Sequence, residues 1–226
     1  MPELILIDNS EMRRDLLSSY FNTIIYKDIA SRFSVRQVGL LKDLTLYMLS
    51  QPGQIMNMSK LAEVFDSNRN TLNQFWEYLK LSLLLFSIEK YDFSAKRRQL
   101  ALKKIYCTDT GFSSHLPIRF SPDRGYLLEN LVAIELKRRY NDIFYWRNSK
   151  ECDFLISQDA ENAMSIQVCL RIHENNRQRE FNGLKDGCEQ LQISDGIILT
   201  YDQTETVQFG GITIHILPVY KWLIEN

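Results

Sequence analysis

The sequence has no long apolar run. None of its runs approaches the roughly 18 consecutive apolar residues that a membrane-spanning helix needs, and the longest candidate, residues 81–86, is broken by Ser82. The N-terminus also lacks the basic start, the apolar stretch and the small-residue cleavage site of a signal peptide. These absences predict a soluble, cytoplasmic protein with no membrane partner.

The sequence also lacks metal-type cysteine spacing and a strong net charge. Its four cysteines show no CxxC pair, which argues against a zinc site or a disulfide framework. The formal net charge is -1, so no global charge favours a polyanion partner. Residues 1–110 carry 15 Lys+Arg against 12 Asp+Glu, whereas residues 111–226 carry 12 against 16. The first half is therefore the more natural place for a nucleic-acid contact.

What the chain does have is enough length and apolar content for two domains. It contains 226 residues, of which 45% are hydrophobic and 24% charged. We predict three segments: a linker strand and helix (1–33), a winged helix-turn-helix (34–112) and an α/β sandwich (113–226), of which residues 113–123 are the connector. The overall fold class is α+β or α/β.

Residue periodicity and helix breakers predict a helix-turn-helix with a wing in the first half. The predicted elements are a strand at 4–7, a helix at 11–31 capped by Ser10, a helix at 35–50, a helix at 60–65 capped by Ser59, a turn at 66–69, a helix from 70 or 71 to 84, and strands at 86–93 and 102–107 around a polar, basic loop at 94–99. Two strands that follow a helix-turn-helix and flank a basic loop are typical of a wing.

The candidate nucleic-acid contacts occupy two places in this module. In a DNA-reading helix-turn-helix, the first turn of the second helix reaches base edges and the wing contacts phosphates. The corresponding residues are Arg69, Asn70, Asn73 and Gln74 in the helix and Lys96, Arg97 and Arg98 at the wing tip. The same helix is apolar over much of its circumference, which favours a packing role instead. Both interpretations stay open.

The second half predicts an αβββαβ core with additions. Its predicted elements are a helix at 125–140, strands at 143–146, 152–157 and 165–170, a helix at 179–191, strands at 196–201 and 212–217, and a last helix from Val219. This order favours an α/β sandwich over a strictly alternating doubly wound fold.

Four segments together resemble one known family. They are YFNTIIYKDIASR (20–32), IYCTDTG (105–111), GYLLENLVAIEL (125–136) and YWRNSKECDF (145–154). They are similar to the C-terminal region of predicted AAA+-type prokaryotic ATPases, in which a P-loop domain precedes a winged helix and a PD-(D/E)xK nuclease-like domain. The resemblance implies a restriction-endonuclease-like fold for the second half.

The resemblance also implies where a nuclease site would lie. Its helix acid falls on Glu129 and its strand acid on Asp153, so these two residues are the candidate metal ligands. Where the family typically reads IEVK, this chain reads IQVC, which puts Gln167 at the second acid and Cys169 at the lysine. An amide brings no negative charge and a neutral thiol cannot replace an ammonium group, so we expect poor Mg²⁺ binding and no other cofactor.

The altered site predicts a protein that is not an enzyme by itself. We expect Glu129 and Asp153 to be satisfied by backbone groups or by a base such as Arg147 or Lys150. The 226 residues contain no GxxxxGK[ST] motif, so this chain is not expected to bind or hydrolyse ATP, and an ATPase domain encoded upstream is the expected partner.

The leading hypothesis is a non-catalytic module of an AAA+-like ATPase that recognises nucleic acid, such as DNA, or protein. Two alternatives stay open: a residual metal-dependent nuclease with an ion held by Glu129, Asp153 and Gln167, and a free-standing winged-helix DNA-binding regulator. A residual nuclease requires a nearby Lys or Arg that substitutes for the missing lysine.

Overall fold

The chain forms two compact units in the computed structural model, which describes residues 2–116, 124–157 and 163–225. The first unit comprises residues 2–87 and 105–116, and the second comprises 88–104, 124–157 and 163–225. The boundary lies within two strands, so each of them contributes residues to both units. The three-segment division stays a prediction, and residues 117–123 of the predicted connector lie outside the described residues.

The first unit is mostly helical. Its elements are a 3-10 helix at Pro2–Leu6, α1 at Ser10–Thr23, a π-helix at Ile24–Ser31, α2 at Val38–Ser50, β1 at Ile55–Met56, α3 at Met58–Val64, α4 at Arg69–Leu81, parts of β2 (Leu85–Lys90) and β3 (Lys103–Cys107), and α6 at Thr110–His115. The strands follow the order β1-β3-β2. The predicted α3 and α4 are present, joined by a short turn.

Asparagine side chains begin the helices of the first unit. Asn9 Oδ1 accepts the backbone N–H groups of Glu11 and Met12, and Asn57 and Asn68 cap α3 and α4 in the same way. The predicted caps Ser10 and Ser59 are wrong by one and two residues. An Asn just before the helix satisfies the same orphan donors, and the serines lie inside the helices.

Two other predictions for this unit are wrong. Residues 4–6 of the predicted strand at 4–7 belong to a 3-10 helix, in which Leu4 is buried and Leu6 is 85% exposed. The predicted single α-helix at 11–31 becomes a π-helix after Thr23. In the wider π turn Ile25 and Ile29 are both fully buried, so the segment still packs against the core.

One apolar core holds the first unit together. It includes Phe21, Leu44 and Met48, which pack with the inner face of α4. On α4 the residues Leu72, Phe75, Trp76 and Leu79 recur at helical spacing and are all buried. The polar residues of α4 are thereby left on the outer face.

The second unit combines helices with a mixed sheet. Its elements are the end of β2, α5 at Ala95–Leu100, the start of β3, α7 at Gly125–Arg139, β4 at Ile143–Arg147, β5 at Glu151–Ile156, β6 at Met164–Val168, α8 at Glu174–Leu191, β7 at Asp195–Thr200, β8 at Glu205–Phe209, β9 at Ile212–Pro218 and α9 at Val219–Glu225. The strands follow the order β2-β4-β5-β6-β7-β9-β8. The mixed α/β class is confirmed.

The strand pairing explains how the site residues come together. Strands β4, β5 and β6 pair antiparallel, whereas β6 pairs parallel with β7 and β7 parallel with β9. The helix α8 packs its apolar face, including Phe181 and Leu184, against this sheet.

Across the described ranges, every helix is too short or too polar to span a bilayer.

Two elements of the second unit differ from the sequence prediction. The predicted basic loop at 94–99 contains the helix α5, whose first turn is capped when Ser94 Oγ accepts the Arg97 N–H. The hairpin strand β8 was not predicted. It turns into β9 through Gly210 and Gly211, whose positive φ angles of 57° and 89° suit glycine.

Candidate functional site

A buried lysine lies among three carboxylates in the second unit. The Lys104 Nζ atom is 2.9 Å from Asp153 Oδ1, 3.1 Å from Glu129 Oε1 and 2.8 Å from Glu151 Oε1. These residues come from three elements: β3 supplies Lys104, α7 supplies Glu129, and β5 supplies the other two. We call this set the Lys104 cluster.

The lysine is the most buried member of the Lys104 cluster. Its side chain is 1% exposed, whereas Asp153 is 9%, Glu129 17% and Glu151 35% exposed. A buried ammonium is tolerated only when it is paired and hydrogen-bonded, and here three carboxylates surround it. The ammonium thus occupies the position between the acids that a metal ion would need.

A β-bulge helps to aim Asp153 at this position. Phe144 of β4 pairs with Leu155 of β5, and Trp146 pairs with Cys152. Two residue steps on β4 therefore lie opposite three steps on β5. The extra residue falls at positions 153–154. Because a bulge redirects side chains, Cys152 and Leu155 both pack into the core under α8 while Asp153 contacts Lys104.

Asp153 is held on both oxygens. Oδ1 accepts from Lys104, and Oδ2 accepts the backbone N–H of Val168 on the neighbouring strand at 3.0 Å. Glu151 also forms an ion pair with Arg147, whose Nη1 lies 3.5 Å from Glu151 Oε2. The prediction that backbone groups or a base such as Arg147 or Lys150 satisfy Glu129 and Asp153 is confirmed in kind, because the Val168 N–H and a base do so. That base is Lys104, which was not predicted.

Gln167 bridges Asp153 to a second acid. Its Oε1 accepts the backbone N–H of Asp153 at 3.2 Å, and its Nε2 donates to Glu180 Oε2 at 2.8 Å. Glu180 projects from α8, is 2% exposed, and accepts from the Arg179 guanidinium, whose Nε lies 3.0 Å away. The amide at position 167 therefore suits its surroundings, because it donates a hydrogen bond to a buried carboxylate.

Cys169 brings no charge to the site. Burial raises the pKa of its thiol to about 12, and the nearby Glu180 and Asp153 carboxylates act in the same direction. The thiol is therefore neutral at physiological pH. It cannot substitute for a lysine at this position.

A divalent metal does not fit the Lys104 cluster as it stands. Within residues 2–116, 124–157 and 163–225, no three or more His, Cys, Asp or Glu side chains are arranged to hold a metal ion. Glu129 and Asp153, the two predicted ligands, do come together, but they do so around Lys104. Mg²⁺ would have to displace a buried ammonium and its three contacts.

The predicted nucleic-acid residues fall into two groups in different units. Arg69, Asn70 and Gln74 are exposed on the first turns of α4, and Asn73 beside them is partly buried. These four residues belong to the first unit.

The basic residues of the predicted wing tip lie on α5, in the second unit. Lys96 and Arg97 are exposed, and Arg98 is partly buried. The Arg97 Nε is 3.0 Å from Asp92 Oδ1, and Arg98 donates to the backbone carbonyl of Asp92 at 2.7 Å.

Residues 1–124, more than half of the chain, match the profile of a family described as Domain of unknown function (DUF8612). The chain belongs to the DUF8612 family. Beyond that DUF8612 region, residues 124–222 match a second profile, Domain of unknown function (DUF4143). DUF4143 is a domain found C-terminal to AAA ATPase domains in other proteins.

Two uncharacterized proteins are similar to this DUF8612 member along its whole length. One, from Methanocaldococcus jannaschii, is 30% identical over 238 residues, which cover 98% of this chain and 52% of that protein. The other, from Haemophilus influenzae, is 28% identical over 231 residues, which cover 99% and 55%. The chain spans about half the length of these relatives. No solved structure matches it significantly.

Proposed function

We propose that this chain is a non-catalytic recognition module that accompanies an AAA+-type ATPase domain. In this proposal residues 34–112 form a winged helix-turn-helix, and the second half of the chain is a PD-(D/E)xK nuclease-like domain that has lost its chemistry. The module recognises nucleic acid or protein, while the ATPase domain supplies the energy.

The link to an ATPase has two supports. The second half matches DUF4143, which follows AAA ATPase domains in other proteins. The relatives are about twice as long as this chain, which leaves room in them for a further domain.

The order of elements supports the two proposed folds. Helices α3 and α4, joined by a turn at 65–68 and followed by β2 and β3, fit a helix-turn-helix with a wing. The run α7-β4-β5-β6-α8-β7 fits the αβββαβ core of a nuclease-like domain. Glu129 and Asp153 then lie where such a domain would hold a metal.

The observation that carries the non-catalytic proposal is the Lys104 ammonium. A metal-dependent nuclease needs its carboxylates for the ion and its lysine within reach of the attacking water or the phosphate. Here the three carboxylates bind Lys104 instead, and that side chain is 1% exposed. A lysine so buried cannot contact a phosphodiester, so it satisfies the acids without restoring the chemistry.

The recognition surface favoured for the first unit is the start of α4. Its apolar face is buried in the core, while Arg69, Asn70 and Gln74 point away from that face and are exposed. Arg and Asn side chains at the first turn of such a helix suit contacts to base edges and phosphates.

The test of the non-catalytic proposal is a cleavage assay with a metal-binding measurement beside it. The full chain is incubated with single-stranded and duplex DNA in Mg²⁺ or Mn²⁺, in parallel with Asp153→Asn. We expect no cleavage above that of the variant. Mn²⁺ titration followed by electron paramagnetic resonance should detect no saturable site in the wild type.

The matched variants are Lys104→Met and Lys103→Met. Removal of Lys104 leaves three carboxylates without their cation, so we expect this variant to gain a Mn²⁺ site. Lys103 pairs with Glu89 at the surface, so Lys103→Met should behave as the wild type. Metal-dependent cleavage by the wild type that Asp153→Asn abolishes would overturn the proposal and establish the residual nuclease.

A further inference from the structure

The segment between β2 and β3 carries an exposed aromatic ring next to a cluster of cations. Phe93 is 77% exposed, which is unusual for a large aromatic side chain. Residues 91–102, between the two strands, contain three Lys+Arg and one Asp+Glu, in a chain whose net charge is -1. All of these residues belong to the second unit.

The ring of Phe93 belongs to a group of aromatic side chains in contact with one another. Tyr91 contacts Phe93 edge to face, with 5.6 Å between ring centroids, and also contacts Phe144 at 5.5 Å and Trp146 at 6.4 Å. The backbone N–H of Tyr91 donates to the backbone carbonyl of Tyr145 at 2.8 Å, which connects Tyr91 to strand β4 of the sheet. Phe93 thus contacts this aromatic group while most of its own side chain stays exposed.

The cations beside Phe93 are held in place without being covered. Asp92 accepts the Ser94 N–H at 2.8 Å and Arg97 Nε at 3.0 Å, and Arg98 lies over the Phe144 ring at 5.8 Å. The Arg97 side chain nevertheless remains 71% exposed, and Lys96 is exposed as well. The turn is therefore ordered before any partner arrives, which lowers the entropy cost of binding.

We propose that this segment binds single-stranded nucleic acid, with Phe93 stacking on a base and Lys96 and Arg97 contacting phosphates. An aromatic ring beside cations matches the two parts of a nucleotide, and stacking of this kind requires a base whose face is free. Duplex DNA hides its base faces, whereas every nucleotide of a single strand offers both a ring face and a phosphate. The proposal names the ligand class for the recognition role proposed above, and it rests on that role.

The test is fluorescence anisotropy of the full chain in EDTA, with labelled oligo-dT, oligo-rU and a duplex as probes. Without divalent cations no cleavage occurs, so the outcome is independent of the test for nuclease activity. We expect the single strands to bind, and any duplex binding through the start of α4 to be unchanged by Phe93→Ala. Phe93→Ala should weaken oligo-dT binding about tenfold.

Two further arms separate stacking from charge. Tyr201→Ala removes another exposed aromatic ring of the same unit, 64% exposed, and should leave oligo-dT binding unchanged. Lys96→Ala should lower the salt dependence by about 0.7 in the log–log slope, the value for one phosphate contact on a single strand. The proposal would be overturned if Phe93→Ala and the wild type bound oligo-dT with equal affinity. It would also be overturned if polyglutamate displaced the labelled oligo-dT as effectively as unlabelled oligo-dT does.

Discussion

The two units differ in what they bury. Among the described residues, the buried polar side chains of the first unit are Thr45 and Ser113, neither of which is charged. The described part of the second unit buries three charged side chains: Lys104, Asp153 and Glu180. It also buries four uncharged polar residues: Asn130, Ser165, Gln167 and Thr200.

The difference indicates that the core of the first unit serves packing, whereas the buried charges of the second unit mark a candidate functional site. Replacing buried ion pairs with apolar residues of similar volume is often neutral or stabilising, so stability alone does not account for the charges of the second unit. Clustered ionisable groups at a point where several elements converge are instead typical of a functional site, past or present. The first unit needs no such explanation, because none of its described residues is a buried charged side chain.

The largest effect on stability is expected from removing the buried ammonium of Lys104 in the second unit. Lys104→Met leaves three carboxylates facing one another, and we expect a loss of about 3–5 kcal/mol in the free energy of unfolding. Urea denaturation followed by tryptophan fluorescence measures it. Lys103→Met, which removes a half-exposed pair with Glu89, should cost less than about 1 kcal/mol.

Coupling within the Lys104 cluster gives an internal check on that result. The double variant Lys104→Met/Asp153→Asn should be more stable than the sum of the two single losses predicts, because the second change removes one of the crowded charges. Additive losses would mean that Lys104 acts through packing of its aliphatic chain alone.

The matching change in the first unit removes apolar volume only. Leu44 is fully buried in the apolar core, so Leu44→Ala should cost about 3 kcal/mol. The loss should be the same at low and high salt, since no charge is involved. A marked salt dependence in the same urea experiment would count against the contrast between the units.

A third change tests a local charge group in the second unit. Arg138 first, and then Arg139, hold the pKa of Glu135 down to about 2 from its usual 4.5. A lowered pKa means that the ion pairs stabilise the fold above about pH 4.5 and lose that effect as the pH falls toward 2.

Glu135→Gln should therefore cost about 1 kcal/mol at pH 7, since one of its two arginine partners is exposed. The difference from wild type should vanish near pH 2. Stability curves measured against pH would decide this, and an undiminished difference at low pH would contradict the assignment.

The sequence predicted elements with strong periodicity and missed those that depend on distant contacts. The spacing of Leu72, Phe75, Trp76 and Leu79 was enough to predict α4, and its apolar face is buried. The change to a π-helix after Thr23 depends on how Ile25 and Ile29 fit the core, which no local pattern encodes. Strand β8 is a different kind of miss, because Gly210-Gly211 is a local turn signal just before the predicted strand at 212–217, yet the mostly polar residues before it were not predicted as a strand.

The candidate site was predictable only in part, and the family resemblance rather than periodicity pointed to it. Glu129 and Asp153 do lie together, as the family resemblance implied. Lys104 is 25 residues from Glu129 and 49 from Asp153 in sequence, so spacing could not connect it with them. The one local signal was a lysine placed directly before the apolar strand residues Ile105 and Tyr106, where burial is expected.

The bond between Gln167 and Glu180 also bears on how such a protein can evolve. The two side chains meet at 2.8 Å in a buried setting, so a single Gln167→Glu change would place two carboxylates in contact. That step is disfavoured until position 180 changes too, and position 180 in turn pairs with Arg179. Whether a carboxylate is tolerated at position 167 therefore depends on the order of the mutations, because Gln167→Glu costs stability unless position 180 has changed first.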